Sequence, residues 1–254
     1  MYTPIQIGIP RTHESKVSYI EHTPSAALGE IVYCFWTFRA VIPLPDRFIY
    51  LVLPDGCIDI IFDVADEPEF DGALIMTPST RAEPVDIRPD FSYAGIRLQP
   101  GAWAGEPVEI VGSAAFYDSL AAYNLREARR MLADSDDVLS RLHYIAEELK
   151  NHGIIRSSPF VAALLKKEQL SVEDLVITSG YSRRQLQRIL KESVGYSPHD
   201  FIKVLRFQRA LQSGKEAARQ YADQSHFIRE CKRVTGMTPS QLRTMYRLAD
   251  SSNA

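Results

Sequence analysis

Two stretches of this chain carry side chains able to read nucleic-acid bases, set at helical spacing. In the first, Arg184, Gln187, Arg188 and Lys191 fall about one turn apart, with Leu186, Ile189 and Leu190 on the opposite side. In the second, Gln224, Ser225, Ile228 and Arg229 are directed outward and Phe227 inward. Arginine offers a fork of donors to guanine O6 and N7, glutamine pairs bidentately with adenine, and serine or histidine reaches a groove edge or a phosphate. The stretches repeat one pattern at an offset of 41 residues, with Leu186 matching Phe227, Arg188 matching Arg229, Lys191 matching Lys232 and Gly195 matching Gly236. Ser197-Pro198 likewise matches Thr238-Pro239.

Base readers act only when a helix holds them, and the helix starts are written in capping chemistry. Ser158 precedes Pro159, Ser171 precedes Val172-Glu173-Asp174, Ser182 stands three before Gln185, Ser197 three before Asp200, and Thr238 three before Gln241. Each places an oxygen acceptor where the first amides of a helix lack partners. Asp223 is the expected cap of the second copy, and Ser213 with Glu216 a further capping box. The spacing predicts six or seven short helices after Arg156, with a short helix, a tight turn and a polar helix in each copy. That is helix-turn-helix grammar, twice.

Charge divides the chain at the same place. Residues 156–254 hold 17 Lys and Arg against 9 Asp and Glu, a net +8, whereas residues 1–155 hold 12 against 23, a net −11. Local positive charge is what phosphate attraction needs. The composition, 45% hydrophobic and 24% charged, is that of a globular protein and excludes disordered or collagen-like chains. No run approaches a membrane span and the start lacks a signal core, so the expected location is the cytoplasm. Cys34, Cys57 and Cys231 are odd in number and far apart, which predicts buried free thiols rather than disulfides or a zinc finger.

The first ~110 residues alternate short Val-, Ile-, Tyr- and Phe-rich runs with Pro, Gly and Asp punctuation, and so predict strands. The runs are 30–42, 48–53, 57–64, 73–77, 83–87 and 93–98, with 48–53 and 57–64 expected to form a hairpin about Pro54-Asp55-Gly56. Asp59 and Asp63 are then either solvent-facing or hydrogen-bonded to arginines. Trp36 is the candidate lining of any effector cavity, and Arg97 a candidate anion anchor. From about Tyr117 the period becomes helical, giving two helices whose apolar faces either cover the strands or form a dimer seam. Residues 151–158 read as a linker, dividing the chain into 1–155 and 156–254.

The segment SGYSRRQLQRILKESVGYSPHDFIKVLRFQRAL, followed by YADQSHFIRECKRVTGMTPSQLR, closely resembles the two-helix-turn-helix DNA-binding domain of AraC-type transcriptional regulators, over roughly residues 158–247. The resemblance implies two recognition helices entering successive major grooves of double-stranded DNA. Matched onto this chain, the first uses Ser182, Arg183, Arg184, Gln187, Arg188 and Lys191, and the second Gln224, Ser225, His226, Arg229 and Lys232. The acidic half, through YLVLPDGCIDIIFD and AGIRLQPGAW, resembles the β-rich sensor domains of one branch of that family. The fold implied is α+β, with an N-terminal β-barrel or cupin-like sensor domain, trailing helices, and an all-α C-terminal domain. The implied partners are DNA, a small-molecule effector, a second copy of the chain, and RNA polymerase if the protein is an activator. The scattered histidines lack the clustered pattern of a metal-binding cupin, so no metal, cofactor or catalytic residue is expected. In one respect the chain departs from the family pattern. The stretch between Pro198 and Tyr221 is short, and Gln220 stands where a turn glycine is usual, which leaves open an alternative reading as a protein-binding module with weakened DNA reading.

Overall fold

The computed structural model describes residues 2–105, 114–121, 123–167, 171–213, 221 and 223–249. The chain opens with strands β1 (Gln6–Pro10), β2 (Val17–His22), β3 (Val32–Ala40), β4 (Phe48–Val52), β5 (Asp59–Asp63), β6 (Ala73–Met76), β7 (Glu83–Ile87), β8 (Ser92–Leu98) and β9 (Ala114–Tyr117), then the short pair β10 (Ser119–Leu120) and β11 (Tyr123–Asn124). Helices follow: α1 (Leu125–Ala133), α2 (Val138–Asn151), α3 (Pro159–Leu165), α4 (Val172–Ser179), α5 (Arg183–Val194), α6 (Pro198–Ser213), α7 (Gln224–Thr235) and α8 (Pro239–Met245), with strand β12 (Tyr246–Ala249) after them. The architecture is α+β, a β-rich N-terminal half and a helical C-terminal half.

The central element is a six-stranded antiparallel sheet in the order β2-β3-β8-β5-β6-β9. Its middle strands are buried on both faces because both faces are covered. On one side Phe35, Ile60, Phe62, Ile75 and Ile96 pack against Leu125, Ala128, Leu132, Leu142, Ile145 and Leu149. The apolar stripes of α1 and α2 therefore cover the sheet. On the other side Trp36 and Phe38 face a layer formed by the β4–β7 pair, with Phe48, Ile87 and Phe91.

The hairpin expected between residues 48–53 and 57–64 does not form. β4 pairs with β7, Phe48 opposite Ile87, whereas β5 pairs with β6 and β8. Pro54-Asp55-Gly56 is instead a corner where the chain leaves one sheet for the other. The Asp55 carboxylate accepts from the Cys57 backbone amide at 2.8 Å and from the Gln6 side-chain Nε2, and Gly56 takes φ +83°. A hairpin would have put Asp55 in water; here its side chain is buried. The three cysteines are free and buried.

In the helical half, capping boxes close the starts of α4 (Ser171 with Asp174), α5 (Ser182 with Gln185) and α8 (Thr238 with Gln241). Ser197 and Asp200 bond at the start of α6, and Asp223 caps α7. Ser158 makes no side-chain cap, its place being filled by Pro159 at the first turn. The capping box at Ser213 with Glu216 and the turn at Gln220 lie outside the described residues. Residues 154 and 155, expected in a linker, are buried, and Ile155 bridges to Trp103.

The two halves share cores. Tyr2 packs with Val161, Leu175, Leu186 and Phe201, and Ile5, Leu51 and Leu53 pack with Phe207, Tyr221, Phe227 and Val234. β1 pairs antiparallel with β12, Gln6 opposite Ala249. The fully buried Gln208 of α6 fixes this seam. Its Oε1 accepts from the Ile5 amide at 2.7 Å, and its Nε2 donates to the Ile5 and Pro54 carbonyls at 3.2 and 2.9 Å.

Candidate nucleic-acid interface and effector cavity

α5 is set by local chemistry at both ends. Ser182 Oγ accepts from the Gln185 amide at 3.3 Å, Gln185 Oε1 accepts from the Ser182 amide at 2.9 Å, and Gly195 terminates the helix at φ +73°. α7 repeats the plan, with Asp223 Oδ1 accepting from the His226 amide at 2.7 Å and Gly236 at φ +74°. Leu186 and Leu190 are buried on α5, and their counterparts Phe227 and Cys231 on α7. The same rotational setting therefore holds in both helices, with Cys231 filling the place of a leucine.

That setting exposes every residue singled out for DNA contact: Ser182, Arg183, Arg184, Gln187, Arg188 and Lys191 on the first helix, Gln224, Ser225, His226, Arg229 and Lys232 on the second. Arg183 pairs with Glu173 of α4, and Lys191 Nζ donates to the Gly195 carbonyl at 3.1 Å. The His226 ring stands edge-on to Tyr221 at 5.2 Å. Among the described residues Arg184, Arg188, Arg229 and Lys232 have no ion pair or side-chain hydrogen bond. Exposed cations that spend no hydrogen bond within the chain are available to a phosphate or a base edge. Ile228, expected outward, is half-buried.

The second site is a cavity of about 230 Å³ between the six-stranded sheet and the β4–β7 pair. Trp36, Phe38, Tyr50, Phe70 and Tyr93 form much of its wall, so Trp36 does line it. Its polar end is built by register. β5 sits beside β8 with Asp59 opposite Arg97, and β3 beside β8 with Trp36 opposite Gly95. The indole lies across Gly95, where any Cβ would come within 2.2 Å of the ring. Trp36 Nε1 donates to Asp59 Oδ1 at 2.8 Å.

Arg97, expected to anchor an anion, is already occupied. Its guanidinium lies 3.1 Å from Asp59, with Nη1 3.3 Å from both Glu21 Oε1 and Tyr19 Oη, and Asp55 at 4.0 Å. A buried guanidinium must be paired, and carboxylates of the same sheet pair it. Asp59 and Asp63 thus bond to arginines rather than face solvent, Asp63 through Arg88 at 3.3 Å. Burial pushes the Asp55 carboxyl above the usual carboxylate range, against the opposing pull of Arg97. Sequence reasoning missed Gln6, which lines the cavity from β1, and Gln208; a polar residue within an apolar periodic run was the available signal. Among the described residues no group of three or more His, Cys, Asp or Glu is arranged to hold a metal, and no helix is long and apolar enough to cross a membrane.

Residues 175–245 match the family described as a helix-turn-helix domain, from within α4 to the end of α8. The chain carries a helix-turn-helix domain. Outside that domain, residues 20–105, which include β3, β5 and β8 of the cavity wall, match a family described as a domain of unknown function. A curated relative, the F1 operon positive regulatory protein of Yersinia pestis, is 33% identical over 93 residues, which is 33% of this chain and 31% of that protein. The chain thus matches about a third of that relative's length. Among solved structures, ToxT from Vibrio cholerae aligns with a TM-score of 0.44 at 13% identity, covering 90% of this chain and 98% of that one. The unsaturated fatty acid-bound form of ToxT aligns at 0.41 and 13% identity, covering 94% and 96%.

Proposed function

We propose that this chain is a sequence-specific DNA-binding transcription regulator whose activity is set by a small molecule held in the β-rich half. α5 and α7 enter successive major grooves. Ser182, Arg184, Gln187 and Arg188 on the first helix, and Gln224, Ser225, His226 and Arg229 on the second, read bases and nearby phosphates. Arg183, Lys191 and Lys232 serve the backbone. The observation that carries this reading is the pair of capped helices with one rotational setting, each turning an exposed Arg, Gln and Lys face away from its core.

The chain works as a sensor unit, residues 1–155, and a DNA-binding unit, residues 156–254, in the bacterial cytoplasm. Gln6 supports the coupling between them. Its side chain lines the cavity while the neighbouring Ile5 backbone is bonded to α6, so one strand meets both sites. The name of the F1 operon positive regulatory protein supports activation, which requires contact with RNA polymerase, and two-fold sites on DNA require a second copy of the chain.

Selection of bound sequences from a random duplex library with the whole chain, followed by titration at several salt concentrations, tests the reading. Two enriched patches about one helical turn apart, with a steep loss of affinity on adding salt, are expected. A single short patch would confine reading to α5 and make specificity depend on dimerisation. Absence of enrichment would move the chain to the class of protein-binding modules.

A further inference from the structure

Two acceptors, Gln6 Oε1 and the Asp59 carboxylate, stand in the cavity wall beside the Tyr50 and Tyr93 hydroxyls. Gln6 is 1% exposed, its Nε2 is spent on Asp55, and its Oε1 has no partner. A buried amide oxygen without a donor costs about 1–3 kcal/mol, a cost that a ligand donor would remove. Asp59 also lies in the wall, and the donors nearest it are engaged: Trp36 Nε1 and Arg97 Nε donate to Asp59, and Arg97 Nη1 to Tyr19 and Glu21.

The charge points the same way. Glu69 and Asp86 belong to the wall as well, bridged at the rim by Arg47 at 3.6 and 2.8 Å. Two arginines, Arg47 and Arg97, face four carboxylates besides Asp55: Glu21, Asp59, Glu69 and Asp86. An anion entering this site meets surplus negative charge, felt most strongly at the buried Asp59, whereas the rim carboxylates Glu69 and Asp86 are screened by solvent. A cation meets the counter-charge. It also meets the faces of Trp36, Phe38, Tyr50, Phe70 and Tyr93, whose quadrupoles attract it.

We propose that the cavity binds an apolar organic amine in its protonated form, its N–H donating to Gln6 Oε1 beside Asp59 and its hydrocarbon or aryl body lying against the aromatic wall. This rests on the reading of the cavity as the effector site. Size fits the class. An apolar cavity of about 150 Å³ holds a benzene ring, so about 230 Å³ holds a ring with a short alkylamine.

The test uses three probes of one shape, 4-phenylbutylamine, 4-phenylbutan-1-ol and 4-phenylbutanoate, titrated calorimetrically into the full chain at pH 7 without DNA. Tryptophan emission is followed in parallel, because Trp36 lies in the wall. The amine is expected to bind at least tenfold more tightly than the alcohol and more tightly still than the acid, with a change in emission. Gln6→Met, which keeps the volume and removes the acceptor, is expected to weaken the amine about tenfold and the alcohol, a weaker uncharged donor to the same oxygen, by less. If that variant does not fold, the ranking on the unaltered chain decides. Equal or tighter binding of the alcohol or acid overturns the amine assignment and leaves the cavity an effector site of another class. If none of the three binds, both the assignment and the effector reading fail. DNA selection is unaffected by either result.

Discussion

Gln208→Met isolates the seam between the two halves. Gln208 is fully buried and satisfies three main-chain groups, the Ile5 amide at 2.7 Å and the carbonyls of Ile5 and Pro54 at 3.2 and 2.9 Å. Methionine nearly conserves the volume, so the cavity term is small and the loss comes from hydrogen bonding. The amide is left without an acceptor, which sits in the upper part of the 1–3 kcal/mol range for a stranded buried group, whereas each carbonyl loses about 0.5–1 kcal/mol. The sum is about 3 kcal/mol. Equilibrium urea unfolding, followed by tryptophan emission and helical ellipticity, should show the midpoint falling by about 1 M or more at unchanged slope. Gln212→Met supplies the control. It lies one turn further along α6, donates to the Thr3 carbonyl from an exposed position, and should cost no more than about 0.5 kcal/mol. A loss below about 1 kcal/mol for Gln208→Met would refute the argument, since water or another side chain would then be serving the same three groups.

Arg188→Ala should cost about 1–3 kcal/mol on the selected site and relax the preference at one base pair, measured by titration against single-base variants. Equal losses on specific and random duplex would make Arg188 a phosphate contact instead. Lys191→Ala should weaken all sequences alike and lower the salt slope by about one. Gly95→Ala drives a methyl group to 2.2 Å from the Trp36 ring, so the indole must leave Asp59. Red-shifted emission and about 1–3 kcal/mol of destabilisation are expected; unchanged emission would mean that the sheet yields and not the ring. The His143 ring lies tilted against Phe35 with centroids 4.3 Å apart, and burial lowers its pKa below 6.5. The unfolded chain therefore takes up the proton first. The contribution is fully present above pH 6.5 and is lost as pH falls through the lower folded value. His143→Gln should flatten that part of the stability curve, and an unaltered slope would locate the titration elsewhere.

The parts of the molecule legible in the sequence are those fixed by neighbours along the chain. The caps at Ser171, Ser182, Asp223 and Thr238 act over three residues, and the 41-residue offset sets Leu186 beside Phe227 in role; the structure has each of these helix starts where the capping pattern puts it. Pairing between strands is a different kind of fact. Phe48–Leu53 and Cys57–Val64 are apolar runs joined by a good turn sequence, and nothing local says that the first pairs with Glu83–Ile87 and the second with Ser92–Leu98. What decides it is burial on both faces, which a two-stranded hairpin cannot supply to Ile60 and Phe62 and the centre of a six-stranded sheet can. The cavity follows from that choice. Asp59 and Ile61 on β5, and Tyr93, Gly95 and Arg97 on β8, alternate with the core residues and so share one face. A charge in such a run reads as solvent-facing by default, because an isolated strand offers it no partner. Only when β5 lies beside β8, in the register that sets Asp59 opposite Arg97, do two expensive buried charges become a mutually satisfied pair. The arginine that looked free to hold an anion is, for the same reason, already paired with Asp59 and Glu21.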